Sequence, residues 1–350
     1  MTSVSRNLSV GIDSCDTDSP DEVGQPGVEH CQPGPTLKNA AGVPVQDVVE
    51  MHPGSCFDGI HPSFGTISMD QAMPLRSAGL YDPSHPDPVA YNRVLDSLGV
   101  EGNLRYEKVV EQKMDHGKPV FDANGDPVMV TKTYCNIYVS DATAQLGALI
   151  SHWGMEDGSG WANPNQRGAE ELGATKTCKM LESHGAEANY HRVLPSEAYA
   201  QASKGLPTVV VGSSDGHIAM VRAPTQPFSS ERNIEISQAG GHNFSDGPLE
   251  KGFGKKDKVE FYSYGDSAFR IDLPAASLAK GSNGDDVVML QRALVKSGQL
   301  KESDMNLDAH FGKFDGLTDR ALTQFKQQHG ITEDGYGPQT HAALSQAIGS

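Results

Sequence analysis

The chain has 350 residues, enough for two ordinary domains, and 37% of them are hydrophobic, which can supply cores without approaching a membrane composition. Its formal net charge of -17 argues against nucleic acid or an anionic membrane surface as the main partner, because both require a basic footprint. No stretch approaches the roughly 20 apolar residues of a membrane span, and the opening MTSVSRNLSVGIDSCDTDSP lacks a basic region followed by an apolar one, so a standard secretory signal is not expected.

Residues 1–88 are rich in Pro, Gly, Ser and Asp, with Arg6, Lys38 and Arg76 as the basic side chains, and read as a flexible leader. Three of the five cysteines, Cys15, Cys31 and Cys56, fall there, as do His52, His61 and His85, and none forms a usable pattern. The odd cysteine count fits free thiols at Cys135 and Cys178 better than a disulfide framework.

From 89 to 273 helices alternate with short strands, as expected of a folded domain. Asp122, Asn124 and Asp126 alternate as in a calcium loop. Pro127 stands where the loop glycine belongs and Thr133 where the closing acid belongs, so the segment reads instead as a hairpin about Asn124-Gly125. Cys135 then opens a helix whose apolar residues Tyr138, Ala142, Leu146, Leu149 and Ile150 predict one inward face. Further helices are predicted over 169–183 and over 196–203, the latter capped by Ser196. Runs at 207–211 and 217–221 form a hairpin about Ser213-Ser214-Asp215-Gly216, and 234–238 and 259–264 add strands to a small antiparallel sheet.

Residues 274–280 read as a linker, and 281–350 as a compact helical unit with an internal near-repeat. Each half is a Gly turn, a threonine cap (Thr318 or Thr340) and a short helix.

Cys135 is the candidate nucleophile. A thiolate attacks carbonyls far better than a thiol, and a helix N-terminus together with an imidazole lowers a cysteine pKa from about 8.5 by several units. His217, at the head of an apolar strand, is the candidate base toward the thiol and acid toward a leaving amine. Gln238, ending the next strand, is the first choice to orient that imidazole, with Asn243 and Glu235 as competitors. The backbone N–H of Cys135 is the expected oxyanion donor. Cys178 shares a helix face with Ala174 and Leu181 and reads as core. The histidines show neither an HExxH pair nor a zinc spacing, so no metal or other cofactor is expected.

Two resemblances bear on function. Gly281-Ser282-Asn283-Gly284-Asp285-Asp286-Val287-Val288-Met289-Leu290-Gln291-Arg292-Ala293-Leu294, with Ala321-Leu322-Thr323-Gln324-Phe325-Lys326 and Asp334-Gly335, resembles the three-helix peptidoglycan-binding domain of wall hydrolases. Lys313 to Gly316 lengthen its first turn, and the turn Asp334 to Gly337 is one residue tighter than usual. The middle domain resembles the NlpC and CHAP groups of papain-like peptidoglycan hydrolases through Arg105-Tyr106, Thr133-Tyr134-Cys135-Asn136, Ser151-His152-Trp153, Gly216-His217-Ile218-Ala219-Met220-Val221 and Gln238-Ala239-Gly240. The hairpin between Arg105-Tyr106 and the cysteine motif is a departure.

The resemblances imply an α+β protein: a papain-like catalytic domain, a helix packed on a small antiparallel sheet, followed by a small all-α three-helix domain. They imply Cys135 and His217 as catalytic, with Gln238 as third member, and cleavage of an amide bond in the stem peptide of bacterial peptidoglycan. Without a signal, such an enzyme reaches the wall as an exported antibacterial effector, whose producer would carry an immunity protein occluding Cys135, or as a phage-type endolysin. A papain-like toxin acting on a protein and a non-catalytic wall binder are the rival readings.

Overall fold

The computed structural model describes residues 80–115, 118–212, 216–255 and 257–349. Residues 1–79, with the three leader cysteines and with His52 and His61, lie outside the described residues. The folded body begins earlier than the leader reading placed it: the Tyr81 hydroxyl donates to Gly205 O at 2.7 Å and its ring meets Tyr91 edge-on. Asp87 caps α1 (Pro88–Ser97) through its side chain, with Pro88 at the first helical position, where its missing N–H costs nothing.

Next comes an antiparallel ribbon, in which β1 (Val109–Gln112) pairs with β4 (Met129–Lys132) and β2 (Met114–Asp115) with β3 (Lys118–Pro119). Its tip is the expected hairpin. Gly125 takes φ +87, Asp122 Oδ1 accepts from the N–H groups of Asn124 and Asp126, and Phe121 bridges Pro127. The ribbon delivers the chain to α2 (Cys135–Gln145). Contrary to the one-faced helix expected, every residue from Cys135 to Val139 and Ser140 is buried. The sheet covers one side of α2 and neighbouring elements the other, with the Asn136 amide donating to Leu172 O at 2.7 Å. The helix ends before Leu149 and Ile150, because Gly147 turns the chain at φ +71.

The small hairpin of β5 (Trp153–Met155) and β6 (Ala169–Glu171) precedes α3 (Ala174–His184), so the helix expected from 169 starts five residues later. Then follow β7 (Tyr190–Val193), α4 (Pro195–Ala202), β8 (Thr208–Gly212), β9 (Ile218–Val221), β10 (Glu235–Gln238), β11 (Phe244–Pro248), α5 (Leu249–Gly252) and β12 (Val259–Tyr264). Ser196 does not cap α4. Leu194 holds the cap position, Pro195 opens the helix, and the Glu197 carboxylate takes the Leu194 N–H.

The central sheet has six antiparallel strands in the order β11-β10-β9-β8-β12-β7. Val209, Val211, Ile218 and Met220 face one core with residues of α1, α2 and α3, while Val210, Ala219, Val221 and Ile236 face a second with α4, Leu249 and Phe253. Coverage on both faces explains why β8 and β9 are continuous apolar runs rather than alternating ones.

The C-terminal unit packs α6 (Asp285–Lys296), the short α7 (Glu302–Asn306), α8 (Gly316–His329) and α9 (Pro338–Ile348) around Leu290, Leu294, Leu322, Phe325 and Leu344. Its threonines are not caps. Asp315 Oδ1 accepts from Leu317 and Thr318 N–H, and Glu333 from Gln339 and Thr340 N–H, because carboxylates reach these orphan donors while both threonines are buried. Residues 274–280 differ from a free linker: Leu278 exchanges backbone hydrogen bonds with Tyr336, whose hydroxyl donates to Pro274 O.

Two arginines cross between this unit and the sheet domain in opposite directions. Arg192 of β7 donates to Asn306 O, pairs with Glu260 at 3.0 Å and lies 4.3 Å over the Phe311 ring. Arg292 of α6, 0% exposed, grips both Glu197 oxygens at 2.8 and 2.9 Å and donates to Arg192 O. His191–Glu302 and Lys258–Asp308 pairs flank them. The joint is therefore a fixed, polar seam.

Candidate functional site

Cys135 is the first residue of α2, following Tyr134 at the cap position. Its backbone N–H has no acceptor within the helix, and the thiol lies at the positive end of the helix dipole. The residue is 1% exposed. Burial pushes the thiol pKa up. The neighbouring His217 ring, as hydrogen-bond partner and as charge, and the backbone of Ile218 and Asn136 outweigh it, leaving the thiol below its ordinary value.

His217 precedes β9 directly, after Gly216, which adopts φ +64. The glycine is required twice over: that backbone conformation disfavours side chains, and a Cβ there would run into Thr175 at the start of α3. The His217 ring lies 4.8 Å from the Phe253 ring, and its backbone oxygen is 3.7 Å from Cys178 Sγ. Cys178 thus packs on the same core as Cys135.

The His217 Nε2 lies 2.7 Å from Gln238 Oε1, while Gln238 Nε2 donates to His242 O at 3.0 Å. The second bond fixes the amide orientation. Its oxygen faces the ring, which favours the tautomer that carries hydrogen on Nε2 and leaves Nδ1 as the acceptor nitrogen. Strand register accounts for the meeting. Ser237 pairs with Met220 in antiparallel β10 and β9, and continuing that register three residues further sets Gly240 opposite His217, with Gln238 on the same face. Glycines make the room: a Cβ at Gly240 would stand 3.1 Å from His217 Cε1, and one at Gly252 would strike Gln238 Oε1.

The structure therefore brings Cys135, His217 and Gln238 together, and separates the two competitors from the imidazole. Glu235 begins β10, at the opposite end from Gln238, and accepts from the N–H and hydroxyl of Thr225 at 3.0 and 2.7 Å. A groove of about 380 Å³ beside it, between Gln226, Asn233 and Asp246, contains neither cysteine nor histidine. Asn243 spends its side chain on three backbone groups, Gly240 N, Val100 O and Tyr106 O.

Sequence reasoning missed the anchor of α2. Asp141 receives Arg105 Nε at 2.6 Å, Arg105 Nη2 at 3.0 Å and the Tyr106 hydroxyl at 2.8 Å. The signal was present: a carboxylate within a helix that packs inward requires partners, and Arg105-Tyr106 are those partners. His152, joined to Ser140 Oγ at 3.0 Å, is held below its ordinary value by burial. Among the described residues no group of three or more His, Cys, Asp or Glu is placed to hold a metal ion, and no helix is long and apolar enough to cross a membrane.

Residues 283–344 match the family model described as "Putative peptidoglycan binding domain". No curated protein and no solved structure matches the chain. The match supports peptidoglycan as a partner of the C-terminal unit and marks the chain as similar, in that region, to cell-wall-associated proteins.

Proposed function

We propose that the chain is a cysteine-dependent peptidoglycan hydrolase that cuts an amide bond of the stem-peptide region, using a sheet domain of papain-like design and acting at the bacterial cell wall. The observation that carries this reading is the buried thiol at the α2 N-terminus, lowered by the neighbouring His217 imidazole, whose Nε2 is held by the Gln238 amide. The C-terminal match supports peptidoglycan as the partner on which such chemistry would act.

In this mechanism His217 Nδ1 takes the thiol proton and Cys135 Sγ bonds to the scissile carbonyl carbon, whose oxygen becomes an oxyanion facing the Cys135 N–H. Collapse of that intermediate breaks the C–N bond. The Nδ1 proton leaves with the amine, and the acyl group stays on sulfur as a thioester. Water then attacks, returning one proton to Nδ1, and the carboxylic product departs as sulfur leaves. A thiol enclosed this well reacts with a polymer only when the surrounding walls part to admit the carbonyl, and enclosure keeps competing water away. The binding unit keeps the insoluble substrate at high effective concentration.

The test is mass spectrometry of fragments released from purified sacculi by the wild-type chain and by Cys135→Ala. New amine and carboxyl or lactyl ends with the wild type alone are expected, with sacculus binding retained by the variant. Equal release by both proteins, or none by either, would overturn the reading.

A further inference from the structure

Asn243 is a half-buried junction that the reaction steps above do not use. Its Oδ1 accepts from Gly240 N at 2.9 Å, and its Nδ2 donates to Tyr106 O at 2.9 Å and Val100 O at 3.1 Å. On one side of this junction is the loop 239–243. That loop carries Gly240, which abuts the His217 ring, and His242, whose carbonyl orients the Gln238 amide. On the other side is Tyr106, whose hydroxyl donates to Asp141 of α2, the helix that begins at Cys135. The amide thus joins the scaffold of the imidazole to the scaffold of the thiol.

We propose that Asn243 is a positioning residue that holds His217 in register with Cys135, a role that rests on the hydrolase reading above. Three features support it. All of the amide's hydrogen-bonding groups named here go to backbone, so it fixes chain position rather than touching the ring. Gly240 has no side chain, so the distance between its backbone and His217 follows any shift of the loop directly. The Gln238 amide has two orientations, and the His242 carbonyl selects the one that leaves Nδ1 free to accept the thiol proton. Releasing the loop would let the amide turn over and present Nε2–H2 to the ring, which selects the opposite tautomer and weakens the hydrogen bond that lowers the thiol.

The experiment uses the full chain and follows carboxamidomethylation by iodoacetamide between pH 5 and 10, with the rate read at the Cys135 peptide by mass spectrometry so that the other cysteines do not contribute. No wall substrate is involved. The wild-type inflection is expected below that of an ordinary thiol. In Asn243→Ala and in the near-isosteric Asn243→Asp it is expected to rise by about one unit, which is about a tenfold lower thiolate fraction at acidic pH. Circular dichroism melting of each variant is recorded in parallel; a purely structural role would lower the melting temperature while leaving the inflection in place. A folded variant of either kind with the wild-type inflection would overturn the positioning role while leaving the hydrolase reading intact. A wild-type inflection at the ordinary thiol value would overturn both.

Discussion

The imidazole of His217 and the side-chain amide of Gln238 meet at 2.7 Å because neighbouring antiparallel strands bring the start of one beside the end of the other. The amide accepts from Nε2 and is itself oriented by His242 O. Gln238→Ala should lower kcat on sacculi by about 10- to 100-fold, the cost of a ring misplaced by about an ångström, with little change in KM. Gln238→Glu should instead keep most activity and move the alkaline limb of the pH profile upward, since a carboxylate beside the imidazolium favours its charged form. Initial rates across pH for the two variants check this, and an unchanged profile in both would remove Gln238 from the mechanism.

Gly216→Ala tests the approach of α3 to the histidine. The φ of +64 alone costs an alanine about 1 kcal/mol, and its Cβ would also press on Thr175. A lowered melting temperature is expected together with, on the proposed hydrolase reading, a larger fractional loss of wall-cleaving activity, because relief of the clash displaces the residue next to His217. Retained activity with lowered stability would show that the glycine serves folding alone.

His152 links stability to pH. Burial lowers its pKa below the ordinary 6.5, so the unfolded chain takes a proton first as pH falls. Its contribution to stability is fully present above pH 6.5 and is lost as pH falls toward the folded pKa. Urea midpoints at pH 7.5 and pH 5.5 should therefore differ less in His152→Asn than in the wild type. An equal difference in both proteins would assign the acid sensitivity to other groups.

The crossed arginines fix the binding unit to the sheet domain. Removing Arg292, whose guanidinium is buried against Glu197, should cost about 3 kcal/mol, the usual loss on breaking a buried pair from one side. Calorimetry should then resolve two unfolding transitions where the wild type shows one. Sacculus binding by Arg292→Ala should persist, because the helical unit keeps its own core. A single unshifted transition would mean that the seam contributes little.

The placement of the candidate side chains was legible in the sequence to the extent that local pattern constrains them. Cys135 at a helix start, His217 after Gly216 at a strand start, and Gln238 at a strand end follow from short-range punctuation and alternation. The hairpin about Gly125 and the helical character of 281–350 follow likewise, from turn chemistry and apolar period. Caps were misread where long carboxylates from other positions outcompeted nearby hydroxyls: Asp315 and Glu333 in place of the threonines, Glu197 in place of Ser196.

What the sequence by itself determined was the set of candidate groups, the ends of the elements that carry them and the likeness of the C-terminal region to peptidoglycan-binding domains. Tertiary structure decided which groups meet. Glu235 and Gln238 lie on one short strand and are equally polar, but only Gln238 lies at the His217 end, a consequence of strand register that no local pattern contains. That Asp141 needs partners could be read from its helix, but their identity, Arg105 and Tyr106 across 36 and 35 residues, and the tie of Arg292 to Glu197 across 95, were decided by the fold. Such pairs arise from the packing of distant elements, and the burial that makes them strong exists only once the chain has folded.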